Sequence, residues 1–431
     1  MDLPMDVGAG VIPRDIFFDR KVFREELKRV FLPSWLFVGH MSQLKQAGDF
    51  FLSVMGRDSV IVVLDRGGQV RVLLNTCRHR GMPVCRYDQG NAAAFTCPYH
   101  GWTYATDGQL QGVPRFDTAY GEQLSKEDWP LVQARVEVFY GSIWATFNES
   151  APSLAEYLGG MAFYLRDLMQ GPDGEDDGWE VVEGVMKWQI ACNWKLAAEN
   201  FAGDTYHTTT HLSVDRLGIS PSGEKRRHTF AAVKLPVDVV GISIEGKGHT
   251  VRAQVFRDNY EYASMYATMP EVDAYYREQH EKRQRRLGDR ARLLNRGGVV
   301  FPSMHYNSAG RTTIGIWVPI APGQVEVWRW MFVPKNAPDS VKDMLRRYYL
   351  RYAGPAGMTE QDDMENWTSI QRALESEAGG DYALNYQMGL GAERRGWPVD
   401  WLGDDAVVVP GTSENNQRHF YERWQQLMAD A

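Results

Sequence analysis

The chain has 431 residues, 44% of them hydrophobic, which is too long for one simple core and predicts two domains. Its formal charge is −8 without a long run of one sign, so nucleic acid and anionic membrane surfaces are poor candidates as partners. Residues 1–13 show no secretory leader, and no apolar stretch approaches the length of about 18 residues that a membrane span requires. The four cysteines do not suggest a disulfide framework, so we expect a cytoplasmic protein.

The first predicted elements are one helix and an antiparallel β unit. Apolar residues at helical spacing predict an amphipathic helix from Ile16 to about Trp35, with Asp19 placed to cap it. Runs with strand character follow at residues 51–55, 59–64, 70–74 and 136–147. We therefore expect an N-terminal helix within residues 1–40 that packs on the second domain, and an antiparallel β domain over residues 41–153.

Two short motifs in the β domain combine thiols with imidazoles. Cys77-Arg-His79 follows a predicted strand, and seventeen residues separate His79 from the second motif, Cys97-Pro-Tyr-His100. A zinc site is the alternative, but zinc fingers usually place both cysteines in one half and both histidines in the other. A cluster of two irons and two sulfides takes two cysteines and two histidines from paired loops. Because each half here is mixed, the pattern favours a [2Fe-2S] cluster.

From residue 154 to residue 431 the pattern changes to helices around a second set of strands. Helical patterns appear at residues 154–169, and strands are predicted at residues 181–190, 228–245, 250–257, 298–306, 311–320 and 325–333. Val272 to Arg296 predicts a charged helix. Its basic stretch, residues 281–286, is interpreted as a solvated face, with a docking surface for an acidic electron donor as the alternative.

A polar stripe runs through an otherwise apolar segment at residues 192–211. Asn200, Asp204, His207 and His211 are separated by four, three and four residues, which on an α-helix places all four on one face. Two histidines one turn apart can bind one metal ion and leave the rest of its coordination sphere open. Helix histidines that are only hydrogen-bonded are the alternative.

An acidic segment lies about 150 residues after this histidine pair. A helix is predicted from Asp339, and another from Thr359, which together with Asp362 resembles a capping box. This places Asp363 in a first helical turn, where the dipole alone explains an acid. Two imidazoles and one carboxylate that leave three positions open are, however, the arrangement of non-haem Fe(II) oxygenases.

In this order the motifs resemble the large (alpha) subunit of Rieske non-haem iron aromatic-ring-hydroxylating oxygenases, over essentially the whole chain. The segments that carry the resemblance are Cys77–Gly81, Cys97–Trp102, Glu199–His207 with His211, and Glu360–Asp363 near Trp367. The resemblance implies an α+β fold. An antiparallel β Rieske [2Fe-2S] domain is followed, over residues 154–431, by a catalytic domain with a large antiparallel sheet flanked by helices (helix-grip type).

The resemblance also implies the metal ligands. The cluster ligands are Cys77, His79, Cys97 and His100, and the ligands of a mononuclear Fe(II) are His207, His211 and Asp363. Asp362 is the alternative to Asp363, with Glu365 as a weaker one. Asp204 matches an acid that links a cluster histidine of one subunit to an iron-ligand histidine of its neighbour. Asn200 matches a residue near the iron that does not bind it firmly.

The implied activity is the insertion of O2 into an aromatic ring, by cis-dihydroxylation or ring hydroxylation. Electrons come from NAD(P)H through a reductase, with or without a ferredoxin; a small β subunit and a trimeric arrangement (alpha3beta3 or alpha3) are expected. The substrate is an aromatic hydrocarbon or a polar-substituted ring, and the candidates for its pocket are Phe201, Thr208, Leu212, Ser303, Met304 and His305. Arg311 is a candidate partner for a substrate carboxylate, with an ordinary surface arginine as the alternative. The alternative functions are a Rieske monooxygenase of the demethylase type and a non-catalytic Rieske electron carrier.

Overall fold

The computed structural model describes residues 5–429 except residues 122, 172–173, 175, 177, 183, 219–236, 259–260, 263, 265, 309–311 and 380–381. The chain divides into two units: the small unit is Phe31–Leu154, and the large unit combines Met1–Val30 with Ala155–Ala431. Within the part of the chain that is described, no helix has the length and hydropathy needed to cross a membrane.

The secondary structure elements are named in chain order. The strands up to residue 146 are β1 (Val11–Pro13), β2 (Leu36–His40), β3 (Asp49–Met55), β4 (Asp58–Leu64), β5 (Val70–Leu74), β6 (Gln89–Asn91), β7 (Ala94–Thr96), β8 (Thr103–Ala105), β9 (Leu110–Gly112), β10 (Arg135–Phe139) and β11 (Ser142–Thr146). The later strands are β12 (Trp179–Val181), β13 (Met186–Ile190), β14 (Val237–Ile244), β15 (Thr250–Phe256), β16 (Leu293–Val300), β17 (Met304–Asn307), β18 (Thr312–Ala321), β19 (Gln324–Pro334), β20 (Ala383–Asn385) and β21 (Ala406–Pro410). The α-helices are α1 (Arg20–Glu26), α2 (Leu154–Leu158), α3 (Met161–Met169), α4 (Trp194–Gly203), α5 (Leu212–Leu217), α6 (Pro270–Leu287), α7 (Asp339–Tyr352), α8 (Met358–Leu374) and α9 (Asn415–Ala429).

In its described residues, the small unit consists of three antiparallel sheets with the strand orders β10-β11-β2, β5-β4-β3-β6 and β7-β8-β9. The three strands predicted between residues 51 and 74 are confirmed as β3, β4 and β5. The single strand predicted at residues 136–147 is wrong: the segment is a hairpin of β10 and β11. Tyr140 and Gly141 both have positive φ, at 47° and 79°, which is the backbone of a two-residue hairpin turn.

The large unit is built on a nine-stranded antiparallel sheet in the order β12-β19-β18-β17-β16-β15-β14-β21, with β13 also pairing with β19. Helix α4, which carries Asn200, the first residue of the predicted polar stripe, packs against β15, β16, β17 and β18. Helix α9 packs against α4. The α+β class and the large antiparallel sheet are therefore confirmed.

Three predicted element boundaries in the large unit are wrong because turns interrupt them. The segment 181–190 contributes two strands, β12 and β13, which pair with successive parts of β19. The segment 298–306 is the hairpin of β16 and β17, in which Pro302, lacking an N–H, occupies the turn. The charged helix ends at Leu287, and residues 293–296 belong to β16. The predicted strand from residue 228 begins outside the described residues.

The N-terminal helix is shorter than predicted but is capped as predicted. The Asp19 carboxylate accepts the backbone N–H of Val22 at 3.0 Å, and α1 is followed by a π-helical turn, Leu27–Phe31. On its inner face, the carboxylate of Glu26 is 1% exposed and lies 2.5 Å from the ammonium of Lys195 on α4. The indole N–H groups of Trp194 and Trp424 donate to the same carboxylate, at 3.0 Å and 2.8 Å. This buried ion pair holds the N-terminal helix against α4 and α9.

We expect Lys195→Met to lower the free energy of unfolding of the large unit by about 3–5 kcal/mol, because it leaves the buried Glu26 carboxylate without its counter-ion. Urea unfolding monitored by tryptophan fluorescence measures the loss. Lys28→Met is the matched control, since Lys28 pairs with Glu25 at the surface of the same segment. Equal stability of the two variants would contradict the anchoring role of the pair.

Candidate metal centres

The two cysteine–histidine loops of the small unit share one backbone conformation. In each loop the cysteine N–H donates to the carbonyl five residues later, Cys77 to Met82 at 2.9 Å and Cys97 to Trp102 at 2.8 Å. The glycine four residues after each cysteine donates back to the cysteine carbonyl, Gly81 at 2.9 Å and Gly101 at 3.0 Å. Both glycines have φ near +75°, a left-handed conformation that favours glycine. Two equivalent turns therefore present the four predicted donor side chains.

The thiols face the interior of the small unit and the imidazoles face outward. Cys77 and Cys97 are each 2% exposed and lie in the apolar core with Leu73 and Tyr104. His79 and His100 are half-buried, with ring centroids 4.6 Å apart. Burial raises the pKa of the Cys97 thiol, so an unbound thiolate is disfavoured there. Among the described residues, Nδ1 of His79 is buried without a hydrogen-bond partner, as expected of an atom reserved for a metal.

These four donors fit a cluster of two irons better than a single zinc ion. Only one set of at least three His, Cys, Asp or Glu donors in the described residues is close enough to share one ion, and it lies in the large unit. A tetrahedral zinc site needs all four donors around one point, whereas a [2Fe-2S] cluster needs only two donors on each iron.

The second centre begins where α4 ends, and here the predicted single helix through His211 is wrong. A Cβ atom on Gly203 would lie 2.7 Å from Cβ of Asn416, so glycine permits the close approach of α9. The next residue, Asp204, has φ −75° and ψ 91°, which is not helical. Its carboxylate accepts the N–H groups of Tyr206 at 3.3 Å and His207 at 3.2 Å, and so favours the short 3₁₀ turn that begins at His207.

The two histidines nevertheless converge. Nε2 of His207 lies 3.1 Å from Nε2 of His211, and Oδ1 of Asp363 on α8 lies 3.6 Å and 3.4 Å from these two nitrogens. One donor atom from each residue falls within 4.8 Å of the others. Within the described residues, Oδ1 of Asp363 is buried and has no hydrogen-bond donor. Two imidazoles and a carboxylate directed at one point fit a single divalent ion with open positions.

Each imidazole has a carboxylate behind it. Oδ1 of Asp204 lies 3.1 Å from Nδ1 of His207, and Oδ2 of Asp362 lies 3.4 Å from Nδ1 of His211. A proton on each Nδ1 leaves the Nε2 lone pairs for a metal. The side-chain amide of Asn200 donates to Oδ2 of Asp204 at 3.3 Å. The sequence reasoning did not assign Asp362 this place behind His211.

The segment before Asp363 also differs from the prediction. Helix α8 begins at Met358 after Gly357, and the hydroxyl of Thr359 donates to the carbonyl of Tyr352 at 2.5 Å rather than capping the helix. Asp363 is therefore in the second turn. Glu365, the weakest ligand candidate, is exposed and accepts a hydrogen bond from Ser369.

Burial governs the electrostatics of the centre. It raises the pKa of Asp363 to about 7, with further contributions from the negative charges of Glu360, Asp204 and Asp362, against the opposing effect of His207. Burial opposes protonation of His207, but the hydrogen bond and charge of Asp204 raise its pKa overall. The centre is rich in negative charge, which favours a bound cation.

Comparison with known families decides between the possible roles of this architecture. The catalytic domain of the ring hydroxylating alpha subunit matches residues 173–430, and the Rieske [2Fe-2S] domain matches residues 34–132. The chain belongs to the ring-hydroxylating alpha-subunit family. The match to the catalytic domain removes the electron-carrier alternative, which requires only the first domain.

Individual relatives are similar over nearly their full length. The alpha subunit of biphenyl 2,3-dioxygenase from Rhodococcus jostii is 38% identical over 98% of this chain and 90% of the relative. The alpha subunit of benzene 1,2-dioxygenase from Pseudomonas putida is 37% identical over 98% of this chain and 92% of the relative. A solved structure of naphthalene 1,2-dioxygenase from a Rhodococcus species, bound to indole, has a TM-score of 0.83 and 35% identity, covering 97% of this chain and 94% of that one.

Membership of this family makes the chain an oxidoreductase of the ring-hydroxylating dioxygenase type. A Rieske [2Fe-2S] cluster and a mononuclear iron are its cofactors, and NAD(P)H supplies electrons indirectly. Its relatives are alpha subunits of multi-component systems. The predicted family, activity class and cofactors are therefore confirmed.

The candidate pocket residues of this ring-hydroxylating subunit are only partly brought together. Phe201 lies 4.4 Å from His305 and 5.5 Å from Trp317, measured between ring centroids, and His305 stacks on Trp317 at 4.2 Å. Ser303, Met304 and His305 are buried, and Leu212 is half-buried at the start of α5. The side chain of Thr208 and all of Arg311 lie outside what is described.

Sequence reasoning did not propose two aromatic residues of this region, Trp317 and Trp367, as part of the pocket. Trp317 on β18 lies 5.7 Å from Trp367 on α8, with the ring planes at 82°. Trp367 is four residues after Asp363 on α8, so it lies one turn further along the same face. The spacing of four residues between Asp363 and Trp367 could have indicated that Trp367 lies on the same helix face as the acid. Nothing in the sequence around Trp317 distinguished it from an ordinary core residue.

The hydroxyl of Tyr104 lies 3.5 Å from Sγ of Cys77 and accepts the backbone N–H of Arg78 at 3.0 Å, so its own proton is available to the sulfur. A donor to a cluster sulfur stabilises the reduced, more negative cluster. We expect Tyr104→Phe to lower the reduction potential by about 20–60 mV, from about 0.5–1.5 kcal/mol per hydrogen bond. Spectroelectrochemical titration measures it. Tyr99→Phe, at an exposed ring beside His100, is the control, and equal potentials in the two variants would contradict the role of Tyr104.

Proposed function

We propose that this chain inserts O2 into an aromatic ring, by cis-dihydroxylation or ring hydroxylation, as the terminal oxygenase component of an NAD(P)H-driven system. The single observation that carries the proposal is the convergence of His207, His211 and Asp363 on one point in a family of ring-hydroxylating subunits. The relatives are named for biphenyl, benzene and naphthalene, which supports an aromatic substrate.

We assign the ligands residue by residue. Cys77, His79, Cys97 and His100 would hold the [2Fe-2S] cluster. His207, His211 and Asp363 would hold the mononuclear Fe(II). When bound, the cluster supplies one-electron storage and the mononuclear iron supplies the site at which O2 is reduced. The protein contributes the fixed orientation of the donors.

Asp204 and Asn200 act behind the iron ligands. Asp204 accepts a hydrogen bond from Nδ1 of His207, which orients the ring and increases the basicity of Nε2. Asn200 donates to the other oxygen of Asp204 and holds that carboxylate in place. In the proposed assembly, Asp204 also links His207 to His100 of a neighbouring copy, so that electrons pass between subunits.

The aromatic ring of a substrate would lie near Phe201. This ring, 9% exposed, directly follows Asn200 on α4 and contacts His305 and Trp317. Edge-to-face contacts with such rings favour a flat aromatic molecule. Thr208, Leu212, Ser303 and Met304 remain further candidates for this pocket.

The remaining partners follow from the multi-component character of the relatives. We propose a reductase, with or without a ferredoxin, as electron donor, a small β subunit, and a trimer of alpha subunits (alpha3beta3 or alpha3). The half-buried histidine edge of the cluster loops, with Tyr99 59% exposed beside it, is a suitable surface for electron transfer between chains. Four buried free cysteines are compatible with action in a reducing cytoplasm.

The decisive experiment is product analysis with the holoenzyme and a reconstituted donor chain. A panel of aromatic hydrocarbons and aromatic acids is incubated with 18O2, and the products are identified by mass spectrometry. The proposal expects a cis-dihydrodiol or a hydroxylated ring that carries oxygen from O2. Exclusive demethylation of side chains would instead support the monooxygenase alternative, and three irons per chain are expected in the loaded protein.

Iron uptake should depend on pH because Asp363 must lose its proton to bind metal. Burial raises the pKa of this carboxyl to about 7, so the protonated form dominates below that pH. We expect the affinity of the metal-free site for Fe(II) to be about fivefold lower at pH 6 than at pH 7 and about tenfold lower at pH 6 than at pH 8. Asp362→Asn, which keeps the three proposed donors, should retain this dependence. Affinity that does not change between pH 6 and pH 8 would argue against Asp363 as a ligand.

Asp204→Ala should leave the cluster and, at saturating Fe(II), the mononuclear iron in place, yet reduce product formation by about 10–100-fold. The reason is that His207 loses the carboxylate behind Nδ1. Asp204→Asn keeps an acceptor oxygen and should fall between Asp204→Ala and wild type. Metal content is measured together with turnover, and normal turnover of Asp204→Ala at full metal content would remove the proposed role.

A further inference from the structure

A buried arginine on β19 makes four polar contacts that the proposed chemistry does not use. Arg329 is 3% exposed. Its guanidinium donates to both carboxylate oxygens of Glu360, at 2.6 Å and 2.9 Å. It also donates to the carbonyl of Ala353 at 2.9 Å, and Nη2 lies 3.4 Å from Nε2 of His305. The arginine therefore joins three separate segments of the large unit.

Two of these segments meet at the junction between α7 and α8. Ala353 directly follows the last residue of α7, and Glu360 is the third residue of α8. The connection between the two helices is tight, because a Cβ atom on Gly357 would lie 2.6 Å from the carbonyl carbon of Tyr352. Since β19 belongs to the central sheet, the guanidinium fixes the end of one helix and the start of the next relative to that sheet.

The start of α8 determines where its acids lie. Asp363 follows Glu360 by three residues, so the two side chains lie on neighbouring positions of one helix face. Oδ1 of Asp363 is 3.4 Å and 3.6 Å from the two histidine Nε2 atoms, and the preceding Asp362 lies behind His211. Each residue advances a helix by about 100°, so a small rotation of α8 would move both acids away from their histidines.

The same arginine reaches the aromatic side of the site. A guanidinium only donates hydrogen bonds, so Nε2 of His305 is the acceptor and the proton of this imidazole resides on Nδ1. His305 in turn lies against Phe201 and stacks on Trp317. The Arg329 guanidinium carbon is itself 5.9 Å from the Phe201 ring centroid.

A buried ion pair is weak evidence for stability, because the cost of removing two charges from water offsets most of their attraction. A bidentate pair does, however, have a strict geometry that specifies orientation. We propose that Arg329 is a positioning residue for the mononuclear iron site: acting through Glu360, it sets the position of α8 so that Asp363 and Asp362 face His207 and His211. This inference rests on the proposed function of those residues.

The test compares iron affinity with stability in holoenzyme from which only the mononuclear iron has been removed. The double variant Arg329→Met/Glu360→Met replaces both charges by apolar side chains of similar length, so no unpaired charge is left in the interior. We expect its thermal midpoint to stay close to wild type and its cluster absorbance to be unchanged. Its dissociation constant for Fe(II) should rise at least about tenfold.

Arg329→Lys provides a second variant that keeps the charge but loses the two-pronged contact. We expect an Fe(II) dissociation constant between those of the wild type and the double variant. Arg283→Lys is the matched control, because Arg283 also donates to a carboxylate, Asp167, and to two carbonyls, none of them on α8. Its iron affinity should equal that of the wild type.

The outcomes separate this inference from the proposed function. An unchanged Fe(II) dissociation constant in the double variant and in Arg329→Lys would overturn the positioning role of Arg329. An equal loss of iron affinity in Arg283→Lys would also overturn it, since the effect would then be general destabilisation. Failure of the wild-type protein to bind Fe(II) at this site would overturn the proposed function and, with it, the inference.

Discussion

The large unit depends on one electrostatic constraint: Oδ1 of the Asp363 carboxylate is buried beside two imidazoles and among other acids. Burial raises the pKa of this carboxyl to about 7, and its inward oxygen has no donor within the described chain. A metal ion satisfies the carboxylate and both Nε2 atoms at once, which hydrogen bonds between these three residues cannot do. Helix α4, the turn after it and helix α8 are arranged around that requirement.

Both centres keep their donor atoms in place through groups that bind no metal. In the cluster loops, backbone hydrogen bonds close equivalent turns at Gly81 and Gly101, and the hydroxyl of Tyr104 lies next to Sγ of Cys77. In the iron centre, a carboxylate lies next to Nδ1 of each imidazole. These carboxylates favour the tautomer with the proton on Nδ1, which leaves Nε2 of each imidazole free to bind a metal.

Local signals predicted the elements that local forces determine. The cap at Asp19 and the strands β3, β4 and β5 were recognisable because capping groups and strand composition act over a few residues. Errors arose where a turn divides a continuous apolar pattern, as at Tyr140-Gly141 and Pro302. They arose again at α4, where the spacing of Asn200, Asp204, His207 and His211 suits a helix but the chain leaves the helix after Gly203. Spacing alone does not reveal that α9 approaches at that glycine.

The sequence by itself determined the chemistry of the donors: two mixed cysteine–histidine loops, a histidine pair and a late acidic segment, each readable because metal ligands must be of particular residue types. Only the tertiary structure decided which acid faces both histidines. Asp362 and Asp363 are adjacent in sequence, yet one lies behind an imidazole and the other points at both Nε2 atoms. That choice is set by the rotation of α8 on the sheet, to which the buried pair of Arg329 and Glu360 contributes. Such a rotation depends on contacts between segments distant in sequence, and no local pattern records it.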